Sequence, residues 1–169
     1  MAQTVNLKGN PVTLVGPALS VGDNAPEAIV VTKDLEEKAI GGKKDKVQVI
    51  ITVPSLDTPV CETETKKFNE IMAGMEGVDV TVVSMDLPFA QKRFCESFNI
   101  QNVTVASDFR YRDMEKYGVL IGEGALKGLL ARAVFIVDKE GKIAYIQLVP
   151  EITQEPNYDE VVNKVKELV

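Results

Sequence analysis

The sequence predicts an α/β protein with a mixed central sheet, helices on both faces and a β-hairpin at the N-terminal end. Three observations carry that expectation. Two β-branched runs, Val47 to Val53 and Val78 to Met85, have the length and composition of buried strands. Each is followed by a segment of helical periodicity. Near the end, two more apolar runs are joined by a short polar turn and followed by an amphipathic helix. Strands alternating with helices imply parallel pairing, and the late hairpin adds antiparallel strands.

Taken in order, Val5 to Leu14 reads as a small hairpin turning at Lys8-Gly9-Asn10. Val21-Gly22-Asp23-Asn24-Ala25-Pro26 reads as loop, and Ala28 to Thr32 as a short strand. After the strand at Val47 to Val53 comes a helix running to Met75. Thr58 suits its N-cap and Pro59 its first helical position. Cys61, Thr65, Phe68, Met72 and Met75 fall on one stripe of that helix, so Cys61 should face the core. Val78 to Met85 is the second long strand, and Pro88 to Phe98 a helix carrying Cys95. Val103 to Ala106 is a short strand, and Asp113 to Tyr117 a helical turn closed by Gly118. Gly122, Gly124 and Gly128 loosen the segment after that turn. Ala133 to Val137 and Ile143 to Leu148 form a hairpin across Asp138-Lys139-Glu140-Gly141, and Asp159 to Val169 is the terminal helix. With no repeat or linker in its composition, the chain is expected to be a single domain over residues 1–169.

Composition narrows the function. The net charge is −6, and the densest basic cluster, Lys43-Lys44-Asp45-Lys46, is short and interrupted by an acid, so nucleic acid is not an expected partner. No apolar run approaches a membrane span. The start, Met1-Ala2-Gln3-Thr4-Val5, lacks the features of a secretory leader, and a cytoplasmic location is expected. The two cysteines, without any histidine, cannot close a zinc site and include no CxxC pair. A Cys–His dyad is equally impossible.

Cys61 is the strongest chemical candidate. A first helical turn has free N–H groups and a partial positive charge, and both favour a thiolate over a thiol. Activation would then come from the helix end, from the Thr58 hydroxyl and from an arginine. Arg132 is the candidate arginine: it opens the apolar strand Ala133-Val134-Phe135-Ile136-Val137, where a charged side chain needs a partner. From that residue alone, a strand-end charge in solvent or in an ion pair and a fixed positive charge beside the sulfur stay equally open. Pro54 ends the preceding strand and would shield the sulfur. Cys95, between Phe94 and Phe98, is either a core cysteine or a second redox thiol.

Pro54, Thr58 and Cys61 carry the Pro-x-x-x-Thr-x-x-Cys spacing of peroxiredoxins. Val21-Gly22-Asp23-Asn24-Ala25-Pro26, Asp86-Leu87-Pro88-Phe89-Ala90-Gln91, Arg93-Phe94-Cys95, Ala131-Arg132-Ala133-Val134, Gln147-Leu148-Val149 and Glu151-Ile152-Thr153 extend the resemblance along nearly the whole chain. The sequence thus resembles the bacterial thiol peroxidase subfamily, the atypical two-cysteine peroxiredoxins. That resemblance implies a thioredoxin-like fold with an added N-terminal β-hairpin. It implies that Cys61 attacks a hydroperoxide and becomes a sulfenic acid, with Thr58 and Arg132 orienting the peroxide. It further implies that Cys95 resolves the intermediate as a Cys61–Cys95 disulfide, which thioredoxin reduces. No metal, haem or flavin is implied, and the subfamily tends towards homodimers and alkyl hydroperoxides. Two other classes stay open: a thiol–disulfide oxidoreductase on the same fold, and a redox switch that oxidises without turnover.

Overall fold

The computed structural model describes residues 3–169. Met1 and Ala2, part of the segment read for a leader, lie outside the described residues. The chain forms β1 (Thr4–Leu7), β2 (Asn10–Val15), β3 (Ala28–Thr32), β4 (Glu37–Ile40), β5 (Val47–Thr52), α1 (Pro59–Ile71), β6 (Val78–Ser84), α2 (Pro88–Phe98) and β7 (Thr104–Ser107). A 3-10 turn (Asp113–Tyr117), β8 (Leu120–Ile121), β9 (Ala133–Val137), β10 (Ile143–Leu148) and α3 (Tyr158–Leu168) complete it. No helix among the described residues is long and apolar enough to cross a membrane.

Seven strands form the main sheet in the order β10-β9-β5-β6-β7-β3-β4. β5, β6 and β7 run parallel, and the other neighbours are antiparallel, which is the mixed sheet the pattern predicts. β5 lies inside the sheet between β9 and β6 with every residue buried, Gln48 and Thr52 included. The hairpin β1–β2 turns at Lys8-Gly9, both at positive φ, a conformation suited to a two-residue hairpin loop. It pairs with β8 in a separate three-stranded sheet.

Period-two alternation divides the core. Val49, Ile51, Val134 and Ile136 face one apolar cluster with Cys61, Phe68, Phe94, Cys95, Val161 and Val165. Ile50, Phe135 and Val137 face the other, with Leu14, Met114, Tyr117 and Ile121. All three α-helices therefore contribute to one layer. Helices on both faces are not found; the small sheet and the 3-10 turn close the opposite face. The reason is topological. β5, β6 and β7 advance in one direction across the sheet, so two crossovers of the usual right hand set α1 and α2 on the same side.

Candidate active site

The site is assembled where β5 gives way to α1. Val53 still donates its N–H to the Val83 carbonyl (3.0 Å), and the buried Pro54 then ends the ladder. Thr58 occupies the N-cap position with extended backbone and Pro59 begins the helix. The Thr58 side chain makes no capping bond, contrary to expectation; its hydroxyl instead donates to the Ser55 carbonyl at 2.9 Å. The cap hydroxyl is drawn off because that carbonyl sits in the tight turn 55–58, which the Thr58 N–H also closes at 3.3 Å. Its proton is therefore committed, and the oxygen faces any incoming group as an acceptor.

Cys61 is the third residue of α1 and its side chain is wholly buried, as the stripe predicts. The stripe itself holds through Met72, but α1 ends at Ile71, and Met75 lies beyond it. Arg132 reaches the sulfur from across the sheet. Thr52 Oγ1 donates to the Ala131 carbonyl (2.8 Å), and the Val149 N–H donates to that of Arg132 (3.0 Å), so the backbone at the head of β9 is fixed. From there Nη1 donates to Cys61 Sγ at 3.3 Å and to Glu64 Oε1 at 2.6 Å, while Nε donates to the Ile152 carbonyl at 2.9 Å. Arg132 is only 2% exposed, so the solvated strand-end charge is not found, whereas the ion pair, with Glu64, and the fixed charge beside the sulfur are found together. Desolvation opposes that charge, but Glu64 and Cys61 together hold the guanidinium pKa above its ordinary value.

Sequence reasoning missed Glu64. It lies one helical turn after Cys61, on the same buried face, and is fully buried. A charged residue on an otherwise apolar stripe was the available signal. Only one of its oxygens is bonded; Oε2 has no partner. Burial pushes its carboxyl up to about 7 despite Arg132. A carboxyl whose folded pKa exceeds the unfolded value stabilises the fold fully below the unfolded value, 4.5, and loses that contribution as pH rises through about 7. Burial also raises Asp108, to about 6, which adds to the same slope. The melting temperature should fall as pH rises from about 4.5 to 8, and Glu64→Gln should flatten that fall in part. Melting curves across this range decide; an unaltered slope in Glu64→Gln means that Glu64 stays ionised throughout.

A second missed residue is Glu151. Its carboxylate accepts from the Lys8 and Gly9 N–H groups (3.0 and 2.8 Å) and from the Thr153 N–H and hydroxyl (3.1 and 2.9 Å). Those backbone N–H groups hold it down to about 2. It ties the hairpin tip to the segment whose Ile152 carbonyl orients Arg132. The hairpin is thus part of the support of the site.

Above these groups opens a cavity of about 390 Å³, lined by Leu7, Leu126, Leu129 and Ile152, with Pro54, Thr58 and Arg132 also in its wall. Cys61 lies beneath it and does not line it. Cys95 sits elsewhere, in the penultimate turn of α2, and borders a different depression of about 440 Å³ with Thr32, Lys33 and Asp34. Both thiols are free. Burial raises the Cys95 thiol, and Lys33 only partly offsets this. The structure therefore brings Pro54, Thr58, Cys61 and Arg132 around one site and leaves Cys95 apart, though in the same apolar layer.

The Redoxin family model matches residues 20–162. Thiol peroxidase from Aquifex aeolicus is 90% identical over 169 residues, covering all of both chains. That from Campylobacter jejuni is 56% identical over 154 residues, covering 90% of this chain and 87% of its own. The chain belongs to the bacterial thiol peroxidases. It is a peroxiredoxin-type peroxidase on a thioredoxin-like fold. Among solved structures, a peroxiredoxin-like protein from Aquifex aeolicus matches with a TM-score of 0.98 at 90% identity, covering 100% of this chain and 99% of the other. Thiol peroxidase from Chromobacterium violaceum, at 19% identity, shares the fold with a TM-score of 0.86, covering 97% and 95% of the two chains.

Proposed function

We propose that this thiol peroxidase reduces hydrogen peroxide and organic hydroperoxides through a Cys61 sulfenic acid and an intramolecular Cys61–Cys95 disulfide, recycled by thioredoxin as part of antioxidant defence. The observation that carries the reading is the buried Arg132 guanidinium, 3.3 Å from the sulfur of a first-turn cysteine beneath a pocket. A fixed cation there meets the negative charge that shifts onto the leaving oxygen as the O–O bond breaks. The thiolate sulfur takes the terminal OH of ROOH. The O–O electrons leave on RO⁻, which gains a proton and departs as alcohol, or as water when R is hydrogen. Thr58, with its proton committed to Ser55, accepts from the peroxide O–H and so sets the angle of attack. Pro54 lends no N–H that would compete. The apolar wall of Leu7, Leu126, Leu129 and Ile152 favours organic over inorganic peroxide. Because Cys61 does not line the cavity, the floor between Pro54 and Thr58 must yield slightly as peroxide enters.

Cys95 thiol then attacks the Cys61 sulfenic sulfur, forms the disulfide and expels water. Thioredoxin dithiol takes up the disulfide by exchange and leaves both cysteines reduced. Cys61 is anchored in the first turn of α1 and Cys95 near the end of α2, both buried, so this step needs local opening of α1 and α2. A crevice of about 180 Å³ between them, lined by Asp57, Glu62, Arg93 and Phe94, makes parting easier than for close-packed helices. A cycle that needs both thiols reduced belongs in the reducing cytoplasm. Leu87 and Phe89, exposed at the start of α2, support a homodimer.

The test is peroxide consumption with thioredoxin, its reductase and NADPH. Sustained turnover on an alkyl hydroperoxide is expected. Reduction of insulin disulfides without peroxide would make the chain an oxidoreductase instead, and a single oxidation without turnover would make it a switch.

A further inference from the structure

Asp86 stands between the two cysteine-bearing helices and has no part in the peroxide chemistry itself. It follows β6 and precedes α2 by one residue. Its Oδ1 accepts from Ser55 Oγ at 2.7 Å. Its Oδ2 accepts from the Leu56 N–H at 2.7 Å and from Ser84 Oγ at 2.7 Å. On one side the chain of bonds continues to the site, since the Ser55 carbonyl accepts the Thr58 hydroxyl at 2.9 Å. On the other, Ser84 Oγ accepts from Gln91 Nε2 at 3.1 Å. Gln91 is fully buried in α2, one helical turn before Cys95 and on the same face. Its Nε2 also donates to the Ala106 carbonyl at 2.8 Å, which anchors α2 to β7.

We propose that Asp86 is a latch that holds the Thr58 turn and the start of α2 in the closed arrangement used for peroxide attack, so that its release governs the rate of disulfide formation. The latch rests on the two-cysteine mechanism proposed for this enzyme. Asp86 acts through Ser55, Leu56 and Ser84 and is a positioning residue. Three donors converge on one carboxylate, and such charge-assisted bonds are short and strong. Opening the first turn of α1 breaks the bonds from Ser55 and Leu56. Freeing α2 breaks the one between Gln91 and Ser84. The open form has lost these bonds and the closed form has them, so weakening the latch shifts the population towards the open form.

The test uses full-length Asp86→Asn, which keeps the size of the side chain and replaces one acceptor oxygen with a donor. Rapid mixing with one equivalent of alkyl hydroperoxide, followed by quenching and mass spectrometry, resolves sulfenic acid from disulfide. Disulfide formation should speed up roughly tenfold, the change expected for losing one hydrogen bond to a charged group. Peroxide attack should slow severalfold, and the sulfinic fraction at excess peroxide should fall. In the reduced protein, amides of residues 56–62 and 87–95 should exchange faster with solvent. Ser84→Ala, which cuts only the α2 arm, should move each quantity the same way by less, and it serves if Asp86→Asn does not fold. The opposed direction of the two rates is the signature, because a purely structural role slows both. Slowing of both, or an unchanged disulfide rate while wild type forms the disulfide, overturns the latch. If wild type forms no Cys61–Cys95 disulfide, the two-cysteine mechanism falls and the latch with it.

Discussion

Cys61→Ser is expected to abolish peroxide reduction, while Cys95→Ser still consumes about one equivalent per subunit and then stalls when thioredoxin is the only reductant. The asymmetry follows from where each sulfur sits. Cys61 Sγ is the atom that Arg132 touches. A serine hydroxyl in its place would stay protonated beside the same guanidinium and would not attack an O–O bond. Cys95 touches neither Arg132 nor the peroxide cavity, and burial raises its thiol. That makes it a slow nucleophile towards peroxide. It suits the later exchange step, in which the sulfenic sulfur is already electrophilic. Stopped-flow measurement of peroxide loss, with mass spectrometry of the stalled Cys95→Ser product, checks both halves. Turnover by Cys61→Ser would refute the assignment outright.

Much of this arrangement is legible in the sequence because the relevant signals are local. Pro88 to Phe98 is bounded by a helix-starting proline and by Asn99, which closes α2 in the left-handed conformation with φ 55°, so its predicted limits match those found. The burial of Cys61 follows from its stripe with Thr65 and Phe68. Elements without a strong period were missed. β4 is four residues of Glu-Lys-Ala-Ile with one fully buried position, and it is a strand because β3 offers it an edge. β8 is two residues held by pairing to β2. The site divides in the same way. Cys61, Thr58 and Pro54 sit close together in the chain and could be read together. The Glu64 partnership with Arg132 crosses 68 positions of chain, and the Glu151 clamp reaches back 142 to Gly9. Neither contact has a local pattern. Thr58 shows the limit of local rules, since its position predicts the N-cap but not which acceptor wins its hydroxyl.

Arg132→Met is expected to slow peroxide attack by about two to three orders of magnitude, the scale for losing a preorganised charge at a reacting centre. Methionine keeps much of the apolar stem, but the structure adds a consequence that Arg132 alone does not reveal. Its removal takes the one side-chain hydrogen-bond partner from the fully buried Glu64 carboxyl, which burial already pushes up to about 7. Without that cation the carboxyl rises further and stays protonated, and leaving it buried with no partner costs about 1–3 kcal/mol. Arg132→Met is therefore expected to lower the melting temperature as well as the rate. Glu64→Leu in the same chain should restore much of the stability by removing the unpaired buried polar group, without restoring attack, since Sγ still lacks its cation. Arg132→Lys should fall between, because one ammonium at the end of a flexible stem cannot reproduce the planar fork that meets Sγ, the Glu64 carboxylate and the Ile152 carbonyl together. Single-turnover kinetics and melting curves of the double variant separate the two effects. If the double variant attacks peroxide at the wild-type rate, Arg132 serves only to satisfy Glu64.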